Sequence, residues 1–155
     1  MAALQPKRVL CIGYADSASI DNKSINDLRL GHRNGIVSAN YPQLNTADAG
    51  DLVIIRSQDR HFAIGVLRER LVDCRMWAAA GGRVWKYTWS YTPLTGIMPI
   101  ETFLAIWRQT CVAHGVLNPE KMLSARSCSA KCDGTVWVSP LMDVLHNVPL
   151  LAPVV

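Results

Sequence analysis

The stretch GDLVIIRSQDRHFAIGVLRERLV (Gly50–Val72) anchors the reading of the chain. Gly50 and Asp51 introduce LVIIRS, an apolar run of strand length. QDR makes a tight reversal and HFAIGVLRERLV follows as a longer run, so the two read as a β-hairpin. Upstream, RVLCIGY (Arg8–Tyr14) is strongly apolar without strict alternation, as a buried central strand would be. ADSASIDNK is a polar loop. Ser24-Ile25-Asn26-Asp27 has the form of a capping box, opening a short helix through Leu28 and Leu30 that ends near Gly31 or Gly35. GIVSA (Gly35–Ala39) reads as a short strand and NYPQLNTADAGD as a turn-rich link.

Downstream, Asp73–Gly82 is irregular and reads as a loop, and RVWKYTWSYTPL (Arg83–Leu94) is a strand of β-favouring residues. Pro99 stands where a first helical residue would. Ile100, Phe103, Leu104, Trp107 and Cys111 follow at helical spacing, and Gly115 closes the helix. Asn118–Ser127 reads as a further helix capped by Asn118, Asp133-Gly134 as a turn, Thr135–Ser139 as a short strand and Pro140–Val148 as a last helix. The expected architecture is α+β: a small, twisted, mostly antiparallel β-barrel with flanking helices.

At 155 residues the chain suits one domain across residues 1–155, with the barrel core over about 7–115 and a helical extension over 116–155. The apolar tail VPLLAPVV (Val148–Val155) is expected to pack on the body or, preferably, to mark where a longer protein continues. No window approaches the run of about 18 apolar residues that a membrane span requires. The basic pair Lys7-Arg8 precedes an apolar run too short for a signal peptide, and five cysteines, an odd number, point to reduced thiols and a cytoplasmic location. Cys128 and Cys132 lack the tight paired spacing of a zinc site, so no metal or other cofactor is expected. Eleven arginines and five lysines against 12 acids leave a net charge of +4, a field that favours polyanions.

Trp85, Tyr87, Trp89 and Tyr91 occupy alternate positions, so they share one strand face. That face must meet the core, and Tyr87 and Trp89, mid-strand, are expected to be buried there. Trp107, on the apolar helical stripe, and Trp137, between two valines, are expected to be core as well. Trp77 and Trp85 lie in or beside a glycine-flanked loop, where stacking on a ligand accounts for a large ring as well as packing does. For catalysis there is no phosphate loop, nucleophile elbow, paired metal-ligand motif or dinucleotide fingerprint.

In this order the elements resemble the YTH and EVE group of the PUA-like fold, small barrels that read modified nucleotides. The residues that carry the likeness are RVLCIGYA, the loop DSASIDN, the helix SINDLRLGHRN, GIVSAN, the hairpin, the tryptophan loop CRMWAAAGG and the aromatic strand running to PIETFLAI. The resemblance implies a base held in an aromatic pocket, with Trp77 as the loop tryptophan and Trp85 as a further wall. Tyr14, at the first strand's end, Asp21, Asn22, Val37 and Ser38 complete that pocket, and Arg33, Arg60, Arg75, Arg83 and Lys86 would contact the nucleic-acid backbone. YTH domains usually place a tryptophan where this chain has Val37, which favours a pocket of the EVE type over an all-tryptophan cage.

The implied function is a non-enzymatic, nucleic-acid-binding domain that reads a flipped modified base. Its first-choice partner is modified DNA, with RNA second. Domains of this kind occur as the target-sensing part of modification-dependent restriction systems of the McrBC type, which would add a fused or associated effector. The alternatives are a small ASCH-like enzyme acting on nucleosides, for which Lys86 or Asp21 would be the functional group, and an interaction module with its rings wholly buried.

Overall fold

The hairpin forms between β3 (Leu52–Ser57) and β4 (His61–Leu71), with Ile54 opposite Ile64 and Leu52 opposite Val66. It comes from a computed structural model that describes residues 6–14, 24–40, 42–57, 60–72, 85–115, 138–148 and 150–151. The other described strands are β1 (Val9–Tyr14), β2 (Ile36–Ala39), β5 (Tyr87–Pro93) and the two-residue β6 (Met98–Pro99). Their order is β1-β3-β4-β5-β2, with β6 beside the start of β4. β1 and β3 run parallel and the other described pairings are antiparallel, so the fold is α+β on a mixed, mostly antiparallel sheet.

All six residues of β3 are buried because both faces of the sheet are covered. Leu52 and Ile54 enter one core with Val9, Cys11, Phe62 and Ile64, while Val53 and Ile55 enter a second with Leu10, Ile12, Ala63 and Leu67. The first core is covered by α3 (Ile100–Ala113) and α4 (Val138–Leu145), which contribute Phe103, Trp107, Leu141 and Leu145. The second is covered by α1 (Ser24–Asn34) and α2 (Pro42–Asn45) through Leu28 and Leu44.

The far end of the sheet also closes over that second core. A register shift between Leu67 and Glu69 breaks the β4–β5 ladder, and a bulge of this kind bends a strand and raises its twist. Beyond it, β5 and β2 bring Val37, Trp89 and Tyr91 over the second core. The two end strands then meet: the Ser38 amide of β2 donates to the Tyr14 hydroxyl of β1 at 3.3 Å. The sheet is a curled half-barrel, and α1 sits at its seam, against β1, β2 and β3.

Three local devices hold this shape. Asp51, 1% exposed, accepts the backbone N–H groups of Lys7 (3.1 Å) and Arg8 (3.3 Å) on Oδ1 and that of Asp48 (2.9 Å) on Oδ2, which also lies 3.5 Å from the Arg8 guanidinium. One carboxylate thereby ties together the starts of the parallel strands β1 and β3. Gly65 lets the Tyr91 ring lie flat on β4, since a Cβ there would sit 2.3 Å from Tyr91 Cδ2. Gly35, at φ 64°, ends α1, and its carbonyl accepts the Tyr91 amide at 2.7 Å.

Several expectations change. The turn-rich link contains α2, a single turn opening on Pro42, whose Leu44 is fully buried. β5 is described from Tyr87, with Trp85 and Lys86 before it, and Arg83 and Val84 lie outside the described residues. Pro99 is the residue before the helix, extended at ψ 143° and opposite His61, and the first helical residue is Ile100. Val138 and Ser139, expected as strand, open α4, where helical spacing lets Leu141, Val144 and Leu145 face the first core. Val148 and Leu150 pack on that core, and the Leu151 amide donates to the Leu94 carbonyl at 2.7 Å. The loop expected at Asp73–Gly82, the helix at Asn118–Ser127, the turn at Asp133-Gly134 and Trp137 lie outside the described residues.

Candidate nucleic-acid interface

Alternation along β5 directs Trp85, Tyr87, Trp89 and Tyr91 to the second core, as the sequence pattern requires. Burial falls toward the strand's start. Tyr91 (3% exposed) and Trp89 (5%) are core, and the Trp89 indole N–H donates to the Leu44 carbonyl at 2.7 Å. Tyr87, expected in the core, is only half-buried, as is Trp85, which lies just before the strand. The curl brings Trp85 to the end of β1, where its ring meets that of Tyr14 at 5.6 Å between centroids and 53° between planes. Tyr14 pairs with Ser57 at one end of the β1–β3 ladder, while Trp85 lies past Thr88, which pairs with Leu71 at the far end of β4. The register shift in β4 fits this crossing, because a bulge bends its strand.

Ser38 is the junction of this mouth. It is 1% exposed, its amide donates to Tyr14, and its hydroxyl shares a 2.7 Å hydrogen bond with that of Thr88, its ladder partner. Next to it Val37 is fully buried opposite Trp89. Burial drives the Tyr14 phenol well above its usual range. The Ser38 amide opposes that shift, and the nearby Asp27 carboxylate adds to it. Tyr14 is therefore a neutral phenol at any physiological pH. Asp27, 7% exposed on α1, is the buried charge that acts on it. Sequence reasoning missed Asp27 here because its position three residues after Ser24 reads as a helix-capping residue; no pattern in the chain signals its nearness to Tyr14.

Helix α1 is held in place at its other end by His32. Its Nε2 lies 2.7 Å from the Thr95 carbonyl, which can only accept, so Nε2 carries the proton. In the neutral ring Nδ1 then accepts from the Tyr91 hydroxyl at 2.8 Å. Burial lowers the His32 pKa, and the Thr95 carbonyl opposes that shift.

Of the expected backbone contacts, Lys86 is exposed beside Trp85, and its amide donates to Asn40 Oδ1 at 2.9 Å. Arg33 is exposed in the last turn of α1. Arg60, at the β3–β4 turn with φ 69°, pairs with Glu101 at 3.1 Å. The structure thus gathers Tyr14, Ser38 and Trp85, with Val37 in the same core, and leaves Lys86 exposed as the residue after Trp85. Trp77, Asp21, Asn22, Arg75 and Arg83 lie outside the described residues.

A separate groove of about 610 Å³ runs between α3 and α4, where Asp143 is hydrogen-bonded by His114 at 2.5 Å. Among the described residues its wall has no tryptophan or tyrosine, and it lies on the helices that cover the first core.

No family model matches the sequence, and no curated protein matches it. Among solved structures the chain is similar to the YTH domain of the Zygosaccharomyces rouxii MRB1 protein in complex with N6-methyladenosine RNA. That likeness covers 97% of this chain and 94% of that one, at a TM-score of 0.47 and 11% identity.

Proposed function

We propose that this chain binds nucleic acid and takes one modified base against the Trp85 indole at the mouth of the half-barrel. The observation that carries this reading is the half-buried Trp85 ring set against the buried Tyr14 ring, with Ser38 and Asp27 beside them. A large ring left partly in water at the edge of a core presents a stacking face, and stacking of a base on an aromatic ring is worth about 1–3 kcal/mol. A base that cannot match the polar groups of such a pocket leaves them desolvated without compensation, and that penalty is the source of discrimination. Lys86, Arg33 and the net charge of +4 supply the attraction for phosphates. Trp77, Asp21 and Asn22 belong to the same proposed pocket, as the resemblance to YTH and EVE domains implies, and Arg75 and Arg83 to its phosphate contacts.

None of these groups addresses the sugar, so DNA and RNA fit the reading equally. The narrower role, sensing modified DNA for a restriction system, needs a measured preference for DNA. The test is a titration panel of short RNA and DNA oligonucleotides, single- and double-stranded. Each carries one N6-methyladenine, 5-methylcytosine or 5-hydroxymethylcytosine or its unmodified counterpart, and the panel is run at two salt concentrations. At least one modified oligonucleotide is expected to bind more tightly than its unmodified match. Trp85→Ala should weaken that complex by about 10- to 100-fold, the equivalent of one lost stack. Equal binding of modified and unmodified strands throughout, or unchanged binding by Trp85→Ala, ends the proposal.

A further inference from the structure

The last ladder pair between β2 and β5 is Ala39 with Tyr87. One residue further on, the Asn40 side chain continues the ladder in place of the backbone, its Oδ1 accepting the Lys86 N–H at 2.9 Å. Asparagine's carboxamide is a peptide-like acceptor on a short stem, so it can end a strand pair with the chemistry of one more rung. That rung falls on the residue beside Trp85, which itself lies outside the strand.

We infer that Asn40 is the positioning residue of the mouth: by fixing the Lys86 main chain it holds the Trp85 indole against Tyr14. This role rests on the proposed base-binding function. Asn40 itself is exposed and lies outside both hydrophobic cores, so its removal leaves the packing of the sheet intact. Its effect is on the angle at which the chain enters β5. Two ties on β2 thus frame the site, the buried Ser38–Thr88 hydroxyl pair inside and Asn40–Lys86 at the rim.

The experiment labels the protein with 5-fluorotryptophan and assigns the Trp85 fluorine resonance by its loss in Trp85→Phe. Asn40→Ala should shift that resonance and weaken the best oligonucleotide of the panel about three- to tenfold, the loss of one hydrogen bond, while the melting temperature stays close to that of the parent. Asn40→Asp, which keeps the acceptor oxygen, should restore the resonance. A resonance unmoved in Asn40→Ala overturns the positioning role. If the resonance moves but the unaltered protein binds no oligonucleotide, the role's link to base binding fails with the functional reading.

Discussion

Replacing Gly65 with alanine tests the curl of the sheet at its tightest point. The new methyl would lie 2.3 Å from Tyr91 Cδ2, 2.9 Å from Cε2 and 3.1 Å from the Thr92 carbonyl oxygen. The first two distances are well inside van der Waals contact, so the Tyr91 ring must tilt off β4, and its hydroxyl then loses the His32 Nδ1 acceptor. Overpacking of this kind costs about 1–3 kcal/mol, and the broken hydrogen bond about 0.5–1.5. Alanine's lower unfolded-state entropy returns about 0.5–1 kcal/mol. The net loss lies between about 0.5 and 4 kcal/mol and centres near 2, which lowers the melting temperature of a chain this size by about 4–8 °C.

Urea denaturation followed by circular dichroism reads the loss directly, and a double-mutant cycle identifies its cause. In a Tyr91→Ala background the two shortest contacts are gone and the Thr92 carbonyl at 3.1 Å remains, so Gly65→Ala should cost less than about 1 kcal/mol there. An equal cost in both backgrounds refutes the argument that Gly65 is there to seat the Tyr91 ring.

Tyr14→Phe keeps the ring against Trp85 but strands the buried Ser38 amide, and should cost about 1–3 kcal/mol in urea denaturation. Asp51→Ala removes the acceptor for three backbone N–H groups at the starts of β1 and β3, and a loss of about 3 kcal/mol or more is expected, read as a fall in melting temperature. Trp89→Phe should lose about 1–2 kcal/mol, because the Leu44 carbonyl loses its buried donor. His32 has a folded pKa below its unfolded value, so the unfolded chain binds the extra proton first. Stability is then full above about pH 6.5 and falls as the pH drops through the lowered folded pKa. Denaturation midpoints from pH 7.5 to 5 should decline more steeply in the parent than in His32→Gln, and parallel curves would refute the assignment.

Much of the fold is legible because its signals are local. Runs such as VLCIGY and LVIIRS are buried on both sides, and such strands carry no alternation to misread. The hairpin, the helix ended by Gly35, and the helix that places Phe103, Trp107 and Cys111 in the first core all follow from near-neighbour patterns. The period-two placement of Trp85, Tyr87, Trp89 and Tyr91 fixes their common face before any coordinates are known.

What the sequence could not decide is how far along that face the core ends. Trp89 is sealed and Trp85 half-open because β4 bends between Leu67 and Glu69 and carries β5 across the end of β1, and no residue within β5 encodes that bend. Asp27 and Asn40 were invisible for the same reason. One reads as a helix-capping acid and the other as a turn residue, and only contacts between segments far apart in the chain bring them to Tyr14 and Lys86. A chain specifies its elements through neighbours a few positions away, whereas a site assembled from four of those elements exists only once long-range pairing has closed the sheet.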